Sequence, residues 1–261
     1  MNFLEFDFKE RKSEWSMSSL QSHDYYELYF LLQGTRRFFF NDKFFHITAP
    51  VACIIPPFCM HKTEGNAYSR INLNVSPEAL NKKETAFLDK LGKDVVYTLE
   101  PQKADLFLRL LENSVSLRSN APSEELANSF LHVLLHLLEQ DCLQPFDSHT
   151  AEDAAADKVS VMQVVAYIHD HYKEEFSLQD LCETFFISKN ALCLKFRKLM
   201  HCSIMQYRKF IRISKAKELL SSTKKNMKDI ANECGFSSEN YFSLIFKHEV
   251  GISPTNYRKA K

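Results

Sequence analysis

The stretch ECGFSSENYFSLIFKHEVGISPTNY, Glu233 to Tyr257, decides how the last hundred residues fold. Phe236, Tyr241, Phe242, Ile245 and Phe246 recur with helical spacing, yet Gly235 and the pair Ser237-Ser238 cut that helix from the one before it. Asn226 is expected to cap a helix with Ile230, Ala231 and Cys234 on one face, and Gly235 to supply the left-handed residue that ends it. Ser237 or Ser238 then caps a second helix. Its Phe242, Ile245 and Phe246 fold back onto Ile230 and Ala231, whose small side chain at 231 lets the two backbones approach. Burying each phenylalanine stabilises the corner by about 2–3 kcal/mol. Ser238, Glu239, Asn240, Ser243 and Lys247 are left on the outer face.

The same unit occurs earlier. LQDLCETFFISKNALCLKFRKLMHCSIMQY lies over MKDIANECGFSSENYFSLIFKHEVGISPTNY with a register of 49 before the turn and 50 after it. Turns tolerate a change of length and packed helices do not, so the pattern is that of two copies of one helix–turn–helix. In the first copy Ser177 and Asp180 form an expected capping box, Leu181, Cys182 and Phe185 face inward, and Ser188 starts the second helix. Ser188, Lys189, Asn190, Cys193 and Arg197 are assigned to its outer face. Between the copies Ser203 and Gln206 cap IMQYRKFIRISKAKELL, with Tyr207, Phe210, Ile211 and Leu219 on one side and Arg208, Lys209, Arg212, Lys215 and Lys217 elsewhere. Bent helix pairs of this kind place their second helix in the major groove of DNA, and two of them about 34 Å apart would engage successive groove segments.

Charge supports that partner. The 261 residues sum to zero, but residues 1–157 carry 15 Lys+Arg against 23 Asp+Glu, and residues 158–261 carry 18 against 10. A basic C-terminal part on an acidic front part points to a polyanion, double-stranded DNA above all. The seven cysteines are scattered and never spaced C-x-x-C, which fits neither a disulfide framework nor a zinc finger. No apolar run reaches the ~20 residues that span a bilayer, so a cytoplasmic protein without membrane contact is expected.

Residues 23–75 are rich in aromatic and β-branched runs, with the turn Asn41-Asp42 as a hairpin signal and Gly34 and Pro56-Pro57 as punctuation. From 101 the period becomes helical: 104–117 and 123–143 form an expected helical hairpin, divided by Pro122 and Ser123. Residues 144–157 read as a linker. The fold class is therefore α+β: an N-terminal antiparallel β domain over 1–100, a helical hairpin over 101–143 expected to dimerise the chain, the linker, and an all-α tandem helix–turn–helix domain over 158–261.

The run from Lys215 to Lys259 resembles the C-terminal signature of the AraC/XylS family of transcription regulators, through Ala216, Leu219-Leu220, Ile230-Ala231, Gly235-Phe236, Tyr241-Phe242, Phe246-Lys247, Gly251, Ser253-Pro254 and Tyr257-Arg258. The resemblance covers about 168–259 and implies two DNA-recognition helices. His201 departs from it, standing where the second copy has Gly251. HDYYELYFLLQG (23–34) and IIPPFCMH (54–61) resemble the two motifs of the cupin-type β-barrel that family members place in front. That resemblance implies a small-molecule effector in the barrel, and His23, Tyr25, Glu27, Arg36 and His61 are the candidate contacts, suited to a polyhydroxylated or carboxylated compound such as a sugar. Gln21, His23, Glu27 and His61 correspond to metal-cupin ligand positions, with Gln21 where a histidine is usual; no metal or other cofactor is assigned. The function implied is a sequence-specific, effector-controlled transcription regulator, activator or repressor, and not an enzyme, acting as a homodimer with RNA polymerase as a further partner. The alternatives are a regulator whose front domain only dimerises, and a metal-dependent cupin enzyme.

Overall fold

The computed structural model describes residues 4–117, 124–146 and 156–260. The chain folds into two compact units, one comprising 1–17, 23–40 and 44–151, the other 18–22, 41–43 and 152–261. The expected turn at Pro122-Ser123 and most of the expected linker lie outside the described residues. Among those described, no helix is long and apolar enough to cross a membrane.

In the first unit the strands are β1 (Leu4–Arg11), β2 (Trp15–Ser16), β3 (Tyr26–Phe40), β4 (Lys43–Thr48), β5 (Val51–Ile55), β6 (His61–Val75), β7 (Val96–Leu99) and β8 (Leu143–Pro145). They form an eight-stranded sheet in the order β1-β6-β3-β5-β7-β8, with β2 on β6 and β4 on β3. β6 runs antiparallel to β1, β2 and β3, β5 to β3 and β7, and β8 to β7. Alternation assigns each strand's two faces to two cores. Leu28, Phe30, Ala52, Ile54, Ile71 and Leu73 join a cluster completed by Phe107 and Leu111 of helix α2 (Pro101–Leu117) and Leu131, Leu134 and Leu135 of helix α3 (Glu124–Leu137). Tyr29, Leu31, Val51, Cys53, Ile55 and Tyr68 face the other way into a second cluster. Both faces are buried, and the one that carries Tyr29 and Leu31 forms the inner face of the domain.

Two bulges then reset the faces. Between Leu31 and Gln33 the register gains a residue on β3, and between Gly34 and Arg36 it gains one on β6. The inner face of β3 passes from odd to even numbers, so that Arg36, Phe38 and Phe40 look inward, opposite Gly65, Thr63 and His61. Gly34, expected to separate strands, instead sits inside β3 at this bulge with φ of +92°, and a Cβ there would lie 2.3 Å from the Ala67 carbonyl oxygen.

Several elements differ from the sequence reading. β1, β2 and β7 lie outside 23–75, the stretch whose runs point to strands. Helix α1 (Lys82–Leu91), headed by an Asn81–Glu84 capping box, has no counterpart among the expected elements. The second hairpin helix ends in a π-helical turn, Leu138–Cys142, and the chain then adds β8 to β7, so the expected linker begins with an edge strand.

The second unit contains α4 (Ala156–His171), α5 (Leu178–Thr184), α6 (Lys189–Met200), α7 (Ile204–Ser222), α8 (Met227–Glu233), α9 (Glu239–Val250) and α10 (Pro254–Lys259). The expected caps are present: capping boxes Ser177–Asp180 and Ser203–Gln206, and side-chain caps from Ser188, Asn226 and Ser238. Phe236, Phe242, Phe246 and Tyr257 pack in sequence, tilted or edge-to-face with ring centres 5.2–5.6 Å apart, over Ile230, Ala231 and Cys234. Arg212, placed by sequence among the outer cations, is buried instead. It donates to the carbonyls of Tyr172, Lys173 and Glu174 and to the Glu175 carboxylate.

The corners of the two copies differ. Gly235 and Gly251 take left-handed conformations, and the equivalent positions of the first copy are Phe186 (φ 50°) and His201 (φ 58°). A non-glycine residue there costs about 1–2 kcal/mol. Phe186→Gly and His201→Gly should therefore each raise the unfolding free energy by about 1 kcal/mol, measured by urea titration. Gly235→Ala should lower it, because the added Cβ meets Lys173 backbone atoms at 2.5 and 2.6 Å.

Candidate functional site

The front unit gathers four of the five candidate contacts. Tyr26 to Phe40 is one continuous strand, and Glu27 near its start faces the interior; His23 precedes it, and His61 begins β6. His23 Nε2 lies 3.0 Å and His61 Nε2 3.2 Å from the same Glu27 oxygen, Oε2. Oε1 accepts a short hydrogen bond from Asn72. The Tyr25 ring stacks on His23 at 3.9 Å. Burial alone would raise the Glu27 carboxyl, but the hydrogen bonds and charge of His23 and His61 outweigh it and hold the group well below the usual carboxylate range. Burial, with the Glu27 charge added, pushes the Tyr25 hydroxyl up to about 12.

Proton positions at this cluster follow from the partners. His23 Nδ1 faces the Tyr25 carbonyl at 2.8 Å and His61 Nδ1 the Cys59 carbonyl at 3.2 Å. A carbonyl only accepts, so each Nδ1 carries the proton. Neutral rings would then present two Nε2 lone pairs to a carboxylate, an arrangement that needs positive charge at its centre. Protonated imidazoles supply it. So would a divalent cation: the three ligand atoms lie within 4.8 Å of one another, and outward Nδ1–H bonds are what metal-bound histidines make. Gln21 is exposed and shares no hydrogen bond with this group among the described residues.

Arg36 stands apart from the cluster, among different neighbours. It is 1% exposed, donates to Thr63 Oγ1 and the Asn66 carbonyl, and lies 4.3 Å over the Tyr68 ring and 5.7 Å from that of Trp15. No carboxylate pairs with it among the described residues. The Tyr68 hydroxyl and the Asn72 Oδ1, also buried, have no hydrogen-bond partner there. Trp15, Tyr68 and Asn72 escape the sequence reading, since only register and the bulges reveal which face they share with Glu27.

In the helical unit the outer faces of α6 and α9 are as expected at Ser188, Lys189, Asn190, Arg197, Ser238, Glu239, Asn240 and Lys247, all exposed; Cys193 and Ser243 are half-buried at the edge. Leu194 and Leu244 are exposed on the same faces. Of the cations assigned to α7, Arg208 binds the carbonyls of Glu174 and Phe176 and Lys209 pairs with Glu249, so much of that basic surface serves the fold.

Residues 6–140, more than half of the chain, match the model of an AraC-like ligand binding domain, and residues 181–260 match a helix-turn-helix domain. The chain is 24% identical to the HTH-type transcriptional activator RhaS of Enterobacter sp. (strain 638), over 92% of this chain and 87% of that protein. It is 25% identical to the HTH-type transcriptional activator RhaR of Mannheimia succiniciproducens, over 95% and 90%. It is 26% identical to RhaS of Citrobacter koseri, over 92% and 87%.

The Glu27 cluster makes stability depend on acid. With its native titration below the unfolded value of 4.5, Glu27 contributes in full above that pH and loses its contribution as pH falls towards the folded value. Unfolding free energy measured from pH 6 to 3 should drop below about pH 4.5, and Glu27→Gln should remove part of that slope.

Proposed function

Because the chain belongs to the AraC/XylS family of transcription regulators, and its helical unit is a DNA-binding helix-turn-helix domain, we propose that it is an activator controlled by a small polar molecule held in the front domain. The observation that carries the effector reading is the set of unmatched polar groups on the inner face: the Arg36 cation without a carboxylate among the described residues, and the partnerless Tyr68 hydroxyl and Asn72 oxygen. Buried polar groups left so cost about 1–3 kcal/mol each, and a ligand bearing hydroxyls or a carboxylate recovers it. Sugars and sugar acids have that chemistry. Arg36 binds the acidic or hydroxylated end, His23, Tyr25, Glu27 and His61 the remainder. Titrating the full-length protein with a panel of such compounds, read by thermal shift, tests this; stability that stays flat throughout favours a front domain that only dimerises. Divalent metal is the rival occupant of the His23–Glu27–His61 cluster. Stoichiometric metal in the purified protein, lost on His61→Ala, would assign it there.

On DNA, α6 and α9 enter successive major-groove segments with Ser188, Lys189, Asn190, Cys193, Arg197, Ser238, Glu239, Asn240, Ser243 and Lys247 at the interface. The 19 residues of α7 give a rod of about 28 Å between the two corners, near one helical repeat of the duplex. Asn240→Ala should weaken binding most at particular base pairs, and Lys189→Ala more uniformly with a shallower salt dependence, as footprinting and salt titration will report. Wild-type footprints from both variants would reverse the assigned helix orientation.

The chain dimerises through α3 in this reading. Leu126 and Val133, seven residues apart, are half-exposed on the face opposite the buried Leu131 and Leu135. Leu126→Lys with Val133→Lys should convert a sedimenting dimer to monomer and reduce operator affinity; a wild-type monomer at micromolar concentration refutes this. Activation also calls for contact with RNA polymerase, which transcription from purified components measures.

A further inference from the structure

The outer faces of α6 and α9 carry the same three-residue stripe. Asn190, Leu194 and Arg197 follow one another at intervals of four and three, and Asn240, Leu244 and Lys247 repeat the pattern fifty residues on. Those intervals align the three side chains along one face of a helix. All six are exposed, the leucines by 71% and 66%. The rotation of each helix is pinned by its buried partners, Leu192 and Phe196 in α6 and Phe242 and Phe246 in α9. A single exposed leucine is ordinary. Two at the same turn of two duplicated helices, each between an amide and a cation, call for a common ligand.

We propose that Leu194 and Leu244 are specificity residues, each seating its side chain on the 5-methyl group of a thymine. The inference rests on the reading that α6 and α9 enter the major groove. In that groove the base edges present hydrogen-bond donors and acceptors, and the thymine methyl is their apolar feature. Leucine satisfies no donor or acceptor on any base edge, the thymine O4 included, so its preference comes from apolar contact with the methyl that the other three bases lack. The asparagine one turn earlier, about 6 Å along the helix axis, has the amide that suits an adenine edge, and the cation three residues later reaches phosphate or guanine. Each half-site therefore contains a thymine at the equivalent place.

Uridine scanning with the full-length protein tests this. Tight duplexes are selected from a randomised pool, and every thymine is replaced singly by deoxyuridine, which deletes the methyl and preserves pairing. One replacement in each half-site should weaken binding roughly three- to tenfold, the loss of one buried methyl. Leu194→Ala should lose the penalty in one half-site and Leu244→Ala in the other, with melting temperatures unchanged because both side chains face solvent. Scanning without any penalty, or penalties that persist in both alanine variants, overturns the assignment. A protein that selects no sequence at all overturns the groove-entry reading itself, and the assignment with it.

Discussion

The helical unit depends on aromatic rings closing against a small residue. Phe242 and Phe246 can reach Ile230 and the α8 backbone because position 231 is alanine, and the rings of Phe236 and Tyr257 complete the row. That contact sets the angle of α9. Once the angle is set, the exposure of Asn240, Leu244 and Lys247 follows from helical periodicity alone. A larger residue at 231 would separate α8 from α9 and turn the outer face away from its ligand.

In the front domain the comparable constraint is backbone register. Without the two bulges Arg36 would stand on the apolar sheet face covered by α2 and α3. The bulges move it to the interior with Glu27 and Asn72, and bring His61 to the same side. One inserted residue on each strand thus converts an ordinary amphipathic sheet into a polar-lined one. The inner face then contains both Glu27 between two imidazoles and a cation, Arg36, held by neutral acceptors and rings with no carboxylate beside it among the described residues.

Much of this is legible in the sequence, for local reasons. Caps such as Ser203–Gln206 and the left-handed Gly235 are written within three or four residues, and the duplicated spacing of Leu192/Phe242 and Phe196/Phe246 identifies the corners. His23, Glu27 and His61 stand out through motif spacing. What stays hidden depends on contacts distant in sequence. Arg212 looks like a surface cation until the carbonyls of Tyr172 to Glu174 close around it. β8 is three residues long and exists only by pairing with β7. Trp15, Tyr68 and Asn72 gain meaning only from strand register, and Phe186 only from its alignment with Gly235.

The loop that follows α4 is gripped twice. Arg212 of α7 holds its carbonyls, and Gly235 of the second corner abuts the backbone of Lys173 too closely for any side chain. A segment just ahead of the first copy is thereby built into the foundations of the second. The duplication evident in sequence does not make two separable modules: excising either half would strip the other of a wall.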